Sequence, residues 1–469
     1  MEASNAHLGI FWGDMSDTLT SRFTEDRLPA PPGEPSFAAT LRREALARFH
    51  ALPLPSQETE EWRYTDLTEL DLESFDPFAP GRAGASLDDV DEALLTALGD
   101  VGERAGLLVQ HNSETATAHL DPGLADRGVI LTGLDTALAE HPDLVEKRLH
   151  DLVPADRTKL TALHAAFRTG GAFLYVPRGV AIDVPLQVFT YLDADGAAIF
   201  PHTLVVAEEM AEVTVIDRTA SPRLGAALSE AITEIHAGPG ARVRYLSLQD
   251  WGEGVNHLAI QRASLGRDAD LRSLAVSFGA SLSRTEVEAV LAEPGANSEM
   301  LGVYFTDGTQ HFDHRSLQDH AAPQGTSSLL YKGALKDASR VVYSGLIHIH
   351  PGAVRSDAFQ TNRNVVLSDR AKADSIPNLE IENNDVRCGH AASVGPVDED
   401  ELFYLQTRGI PRDEAQRLIV TGFFQEVLDR VTLPEVRAGL EAAIQEELRR
   451  SPMPEPGGPG GDDLRGGAG

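Results

Sequence analysis

The chain has 469 residues, 72 acidic against 40 basic, and a formal charge of −32. That balance argues against nucleic acid or an anionic membrane as the main partner, because both select cationic surface. One cysteine excludes an intramolecular disulfide framework and favours a reducing compartment, and no apolar run approaches the roughly 20 residues that span a bilayer.

Residues 1–35 are polar and broken by Pro29, Pro31, Pro32 and Pro35, which predicts a disordered leader. No basic region leads into a hydrophobic stretch, so a cytoplasmic protein is expected, starting at Met1 or Met15. Residues 36–170 read as a small, mostly helical domain. Phe37, Leu41, Ala45 and Phe49 recur at helical spacing, and Leu87–Leu98, Pro142–Leu152 and Arg157–Arg168 are further helix candidates. Gly170 and Gly171 close the last of these, and Gly106–Val109 is a short strand candidate.

Texture changes over residues 171–395. FLYVP, VPLQVFTYL, HTLVVA, EVTVIDR, VRYLSLQ and their successors down to DVRCGH follow at about ten-residue spacing. All are short and β-branched, with Gly, Pro, Asp or Asn between them. A sandwich, a barrel and a parallel β-solenoid all fit, and no strict hexapeptide repeat decides among them. Residues 396–450 return to helix, as Asp398–Thr407, a segment entered at Pro411, and Pro434–Arg450. The second of these carries a stripe of Ala415, Leu418, Ile419, Gly422, Phe423 and Val427. Residues 451–469 are rich in Pro and Gly and are expected to be disordered.

Cys388 and His390 stand two apart on a strand candidate, so they share a face and could both ligate iron or zinc. Two ligands cannot complete a four-coordinate site, and a lone buried thiol is the bland alternative. His348 and His350 form a second same-face pair, with His311, Asp313, His314 and His320 nearby in sequence. A cupin-like metalloenzyme site is the rival reading of that group. No phosphate-loop or nucleophile motif is present, so no nucleotide binding and no enzyme class is expected. The C-terminal stripe could cap a solenoid or dock a partner through Phe403, Tyr404, Phe423 or Phe424.

Several stretches resemble one family. Glu58–Thr65 (ETEEWRYT) is similar to an N-terminal signature of the SufB/SufD family of the SUF iron–sulfur assembly system. Phe173–Val180 with Pro185-Leu186, Leu330–Leu335, Gln360–Asn364 and Leu379–Ile381 continue the match in order. Asp385–His390 and Leu402–Ile410 complete it. The resemblance runs from about residue 37 to 431. It implies a right-handed parallel β-helix between two helical domains, acting as a non-catalytic scaffold. It implies a SufB-like partner joined through the β-helix, or a homodimer in its absence, and a SufC-like ATPase docked on the C-terminal helices. Phe403, Tyr404, Arg408, Gly409, Phe423 and Phe424 are the expected contacts there. His390 and Cys388 would hold a transient iron–sulfur cluster shared with the partner chain. Where B-type members carry a cysteine this chain has Thr361, so the likeness is to D-type members.

Overall fold

The computed structural model describes residues 21–82 and 103–450. The helix expected at Leu87–Leu98, most of the leader and the C-terminal tail lie outside them.

Period-two burial gives the middle of the chain its form, as in Arg340–Ile349, where inward residues alternate with outward ones. From His202–Ala207 onward each strand leaves its neighbours in sequence and pairs with the next-but-one. The result is a parallel β-solenoid of about eight turns, two facing sheets wound from one chain. Sheet I runs in space from Glu114–Leu120 and Gly106–His111 through Leu186–Tyr191, Glu212–Ala220, Arg242–Asp250, Asp270–Ser277, Asn297–Thr306, Thr326–Leu335 and Asp357–Val366 to Arg387–Pro396. Sheet II runs from Ile130–Gly133 and Ala172–Val176 to Arg340–Ile349 and Lys372–Ile381. The solenoid therefore draws in strands ahead of residue 171. At its N-terminal end each sheet finishes in an antiparallel pair.

The lumen is filled by residues stacked in register from turn to turn, such as Val205, Ile235, Ala263 and Ala289. Toward the C-terminal turns it becomes polar. Asn362 donates to Tyr304 Oη (2.9 Å), which donates to Asn364 Oδ1 (2.7 Å), and Asn364 donates back to Asn362 (2.7 Å). The aromatic rings fit because glycines face them. A Cβ on Gly333 would lie 1.8 Å from the Tyr304 ring, and one on Gly302 would lie 2.5 Å from Tyr331. Gly333→Ala is accordingly expected to lower stability by about 1–3 kcal/mol, read as a fall in the guanidinium midpoint.

Helices cover both outer faces. The N-terminal helix Ser36–Ala51 and the helix Lys159–Phe167, which opens on a Thr158 capping box, pack with the outer side of sheet II. Three C-terminal helices, Glu399–Thr407, Arg412–Leu428 and Pro434–Arg450, cover Leu246, Leu274, Leu301 and Leu330 on the outer side of sheet I. Lys332 fastens this cover, donating to the Phe423 carbonyl (2.9 Å) and pairing with Glu426 (2.6 Å).

Four expectations are corrected. Residues 21–35 are not a loose leader: Phe23 is fully buried, its ring 5.1 Å from Phe167 and 5.8 Å from Phe49. The helix expected over Pro142–Leu152 stops at Val145. The Glu234 carboxylate captures the backbone N–H groups of His150, Leu152 and Val153 instead, and His150 sits at φ 58°. The C-terminal stripe is partly shifted: Ala415 and Val427 are core and Ile419 and Phe423 pack beside it as expected, but Val420 and Phe424 take the central places while Leu418 and Gly422 are exposed. Phe424, expected as a partner contact, is fully buried and cannot serve as one.

Candidate functional site

Two inward-facing columns of sheet I lead to the site. One stacks Val213, Val243, Leu271, Ser298, Ser327 and Ala358, and Cys388 is its last step. The other stacks Val215, Tyr245, Ser273, Met300, Leu329 and Gln360, and ends on His390. Every earlier member is buried, whereas Cys388 is half-buried and His390 exposed. The difference is positional, because Arg387–Pro396 is the terminal strand of sheet I and Lys372–Ile381 that of sheet II. Among the described residues no strand lies beyond either.

The environment of the pair is asymmetric. Cys388 packs against Ile347, Ile349, Ala353 and Ala358. Burial, and then the Asp357 carboxylate, push its thiol above the usual range, although a backbone hydrogen bond at Gly389 works the other way. The sulfur is therefore protonated at neutral pH, and ligation would have to displace that proton. Gly389 between the two residues is backed by Phe359, whose ring would stand 3.0 Å from a Cβ there. Thr361 belongs to the other face of sheet I, in register with Leu330 and under the C-terminal helices. It does not meet Cys388 and His390 on one side of the sheet.

The remaining sequence candidates divide. His348 and His350 do come together, their rings 4.0 Å apart on the outer side of sheet II. Asp319, which sequence reading passed over, completes that group at 3.2 Å from His348 and 2.8 Å from His350. Its signal was register, since Asp319 pairs with His348 across adjacent strands. His311, Asp313, His314 and His320 do not converge. His314 stacks on Tyr304 in the lumen, His320 contacts Ser327, and Asp313 holds Arg284 and Thr65 on the outer face.

A groove of about 1130 Å³ also follows the outer face of sheet II, lined by Trp62, Arg157, Glu286, Glu288 and Arg315 among others. Several of its charges pair with one another, Arg157 bridging Glu286 (2.8 Å) and Glu288 (2.7 Å). On the C-terminal helices Phe403 and Tyr404 are 68% and 58% exposed, with the Arg408 guanidinium 5.1 Å over the Tyr404 ring and Gly409 at φ 84°. Phe423 is half-buried beneath Lys332. No helix among the described residues is long and apolar enough to cross a membrane.

Comparison with known proteins gives the family. Residues 190–423 match the family model described as SUF system FeS cluster assembly, SufBD core domain, and residues 16–188 match the SufBD protein N-terminal region. The iron–sulfur cluster assembly protein SufD of Bacillus subtilis is 32% identical over 424 residues, covering 89% of this chain and 95% of that protein. A SufBD family protein of Mycobacterium tuberculosis is 33% identical, with 86% and 92% covered. One of Mycobacterium leprae is 37% identical over 305 residues, 63% of this chain and 76% of its own. With two family regions spanning nearly the whole described chain, the protein belongs to the SufBD family of the SUF iron–sulfur cluster assembly system.

Proposed function

We propose that the chain is a non-catalytic, cytoplasmic scaffold subunit that holds a nascent iron–sulfur cluster at the end of its solenoid, between itself and a SufB-like partner. The observation that carries this reading is the termination of two inward columns on Cys388 and His390 at sheet edges with no further strand among the described residues. Ten-residue edges of this kind offer unpaired N–H and C=O groups to another chain, and nearby Phe359, Ile381 and Val394 are 48%, 43% and 46% exposed. A partner with the same solenoid would extend both sheets and cover those side chains. Without that partner, a second copy of this chain could use the same edges.

Two ligands from this chain leave the cluster incomplete, and Thr361 supplies no thiolate. The partner would provide the missing groups. Phe403 and Tyr404, with Arg408 and Gly409 shaping the turn, form the surface we assign to a SufC-like ATPase, with Phe423 at its margin. ATP-driven dimerisation of that ATPase would strain or open the shared site, with no nucleotide bound by this chain itself.

Anaerobic reconstitution with iron and sulfide should develop cluster absorbance only when this chain and its partner are both present. His390→Ala should lower the yield severalfold while the complex stays assembled. Equal absorbance from this chain alone would refute the shared site. For docking, Phe403→Asp is the cleaner probe, because removing residues 398–450 would also strip the cover from Leu246, Leu274, Leu301 and Leu330. It should abolish co-purification of the ATPase and leave the partner subunit bound.

A further inference from the structure

Far from the sheet edges, three histidines meet between the outer face of sheet II and its N-terminal cover. His150 comes from the turn after Val145, His164 from the helix Lys159–Phe167, and His202 from the strand His202–Ala207. Their rings lie 4.8 to 5.6 Å apart, and one nitrogen from each falls within 4.8 Å of the others. His164 and His202 are fully buried and His150 is 8% exposed.

The tautomers follow from the partners. His150 Nδ1 lies 3.0 Å from the Val153 carbonyl, and His164 Nε2 lies 3.1 Å from the Pro201 carbonyl. A carbonyl only accepts, so both nitrogens carry the proton. His202 Nε2 lies 3.0 Å from Glu234 Oε2. That carboxylate already accepts three backbone N–H groups from the turn, so His202 Nε2 is also the donor. What remains is a lone pair on His150 Nε2, His164 Nδ1 and His202 Nδ1. Each of these atoms is buried and has no hydrogen-bond partner among the described residues. Three lone pairs cannot satisfy one another, and each unpaired buried acceptor is costly.

We propose that His150, His164 and His202 bind one divalent transition cation of the zinc class through these three nitrogens. Neutral imidazoles suit Zn²⁺, Co²⁺, Ni²⁺ or Fe²⁺ and are poor ligands for Mg²⁺ or Ca²⁺. Tetrahedral nitrogens at about 2.1 Å from a metal stand about 3.4 Å apart, so a small rotamer adjustment closes the site around an ion. Every ligand already has the outer partner that fixes such histidines, two carbonyls and one carboxylate. Glu234 also offsets the ion's charge. Arg168, whose charge bears on all three histidines, is itself paired with Asp135 (3.2 Å) and Glu34 (3.6 Å). The left-handed backbone of His150, at φ 58°, is the kind of strained conformation that persists where a site needs it. Burial holds all three rings below the ordinary histidine pKa, in the neutral form that ligates. The ion would pin the 150–153 turn and the Lys159–Phe167 helix to the solenoid, independently of any cluster at Cys388.

The test uses the tag-free full chain, dialysed against chelator and then titrated with Zn²⁺ or Co²⁺. About one equivalent should bind, with the Co²⁺ form showing intense tetrahedral visible bands. His164→Gln should abolish both, and Glu234→Gln should weaken binding about 10- to 100-fold. His348→Ala/His350→Ala, which dismantles the exposed Asp319 group, should change neither. X-ray absorption on the metal-loaded wild type keeps the question open to decision if a variant misfolds: a shell with three imidazoles supports the site. Absence of binding, a shell with fewer than three imidazoles, or loss of metal only in the His348/His350 variant would overturn it.

Discussion

Lowering the pH from about 6.5 to about 4 should destabilise the chain steadily, before most carboxylates protonate. His257, His314 and His320 are buried, and burial pushes each down to about 4. Their hydrogen bonds do little to relieve this. His257 has a Ser229 hydroxyl at 3.2 Å and His320 a Ser327 hydroxyl at 2.7 Å, while neither nitrogen of His314 has a partner among the described residues. The unfolded chain takes up these protons at about pH 6.5, and the folded chain refuses them until about 4. Stability is therefore fully present above 6.5 and is lost as the pH falls through that window. Each group contributes a slope of about 1.4 kcal/mol per pH unit. His236 and His311, also lowered by burial, add to the three, while Asp217, pushed up to about 6, and Glu230, raised by burial, work the other way, so the net is about 4 kcal/mol per unit at most. Two units then remove at most about 8 kcal/mol, a large share of the stability of an ordinary domain at 5–15 kcal/mol. The histidines of the proposed metal site are left out of this sum, because a bound ion would govern them. Denaturant titrations at several pH values should show net uptake of up to about three protons on unfolding, and His314→Gln should reduce it by about one. A stability that stays flat between pH 7 and 5 would contradict the reading.

Much of this molecule was legible in its sequence, and the gaps have physical causes. Short alternating strands and their turn residues betray themselves locally, because a pleated strand buries every second side chain wherever it sits. The winding is a different matter. Equivalent residues such as Asn297, Thr326, Asp357 and Arg387 recur about every thirty positions. The columns they head mix Val, Ser, Ala, Leu, Tyr and Asn, since the lumen asks for volume and satisfied polar atoms more than for one residue type. A hexapeptide search has nothing to find there. The stripe on Arg412–Leu428 was misread only at its middle for a related reason: packing on Leu330 brings Val420 and Phe424 inward in place of Leu418 and Gly422, between Ala415 and Val427.

The candidate site was half legible. Spacing alone puts Cys388 and His390 on one face, but only the register shows that the face is the lumen and that both sit on the last turn. His150, His164 and His202 gave no signal, being 14 and 38 positions apart on a turn, a helix and a strand. Nothing in a one-dimensional pattern joins them. Glu234 does so in space by folding the 150–153 turn away from helical geometry, which is also why the helix expected through Leu152 is missing.

Asp313→Ala is the substitution expected to cost most, because its carboxylate is the buried knot that ties the Glu58–Thr65 motif to the solenoid. Asp313 is fully buried and pairs with Arg284, which is 2% exposed. It accepts from Thr65 Oγ1 at 2.6 Å and has the Arg315 guanidinium at 3.4 Å. Arg284 in turn donates to the Glu61 carbonyl (2.9 Å) and stacks 3.8 Å over Trp62. The residues that mark the family in sequence, Glu61, Trp62 and Thr65, are thus the ones that close over one ion pair. Removing the carboxylate strands the Arg284 charge, which should cost about 3–5 kcal/mol and free the strap for proteolysis ahead of global unfolding. Asp313→Asn, which keeps the Thr65 bond and loses the charge, should fall between. The pH dependence separates this knot from the histidines. Burial alone would raise the Asp313 pKa, but Arg284, Arg315 and Thr65 outweigh it and hold the carboxyl below the usual range. Its contribution is present above the unfolded value of about 3.9 and is lost only as the pH falls through the lower folded value. Against the burial that lowers them, the Asp313 carboxylate raises the pKa of its neighbours His314 and His311, so its loss lowers both further. Between pH 6.5 and 4 the Asp313 variants should therefore show a slope no shallower than that of the wild type, displaced downward. If the slope itself flattens in Asp313→Ala, the buried ion pair and the buried histidines are not the separate devices their positions suggest.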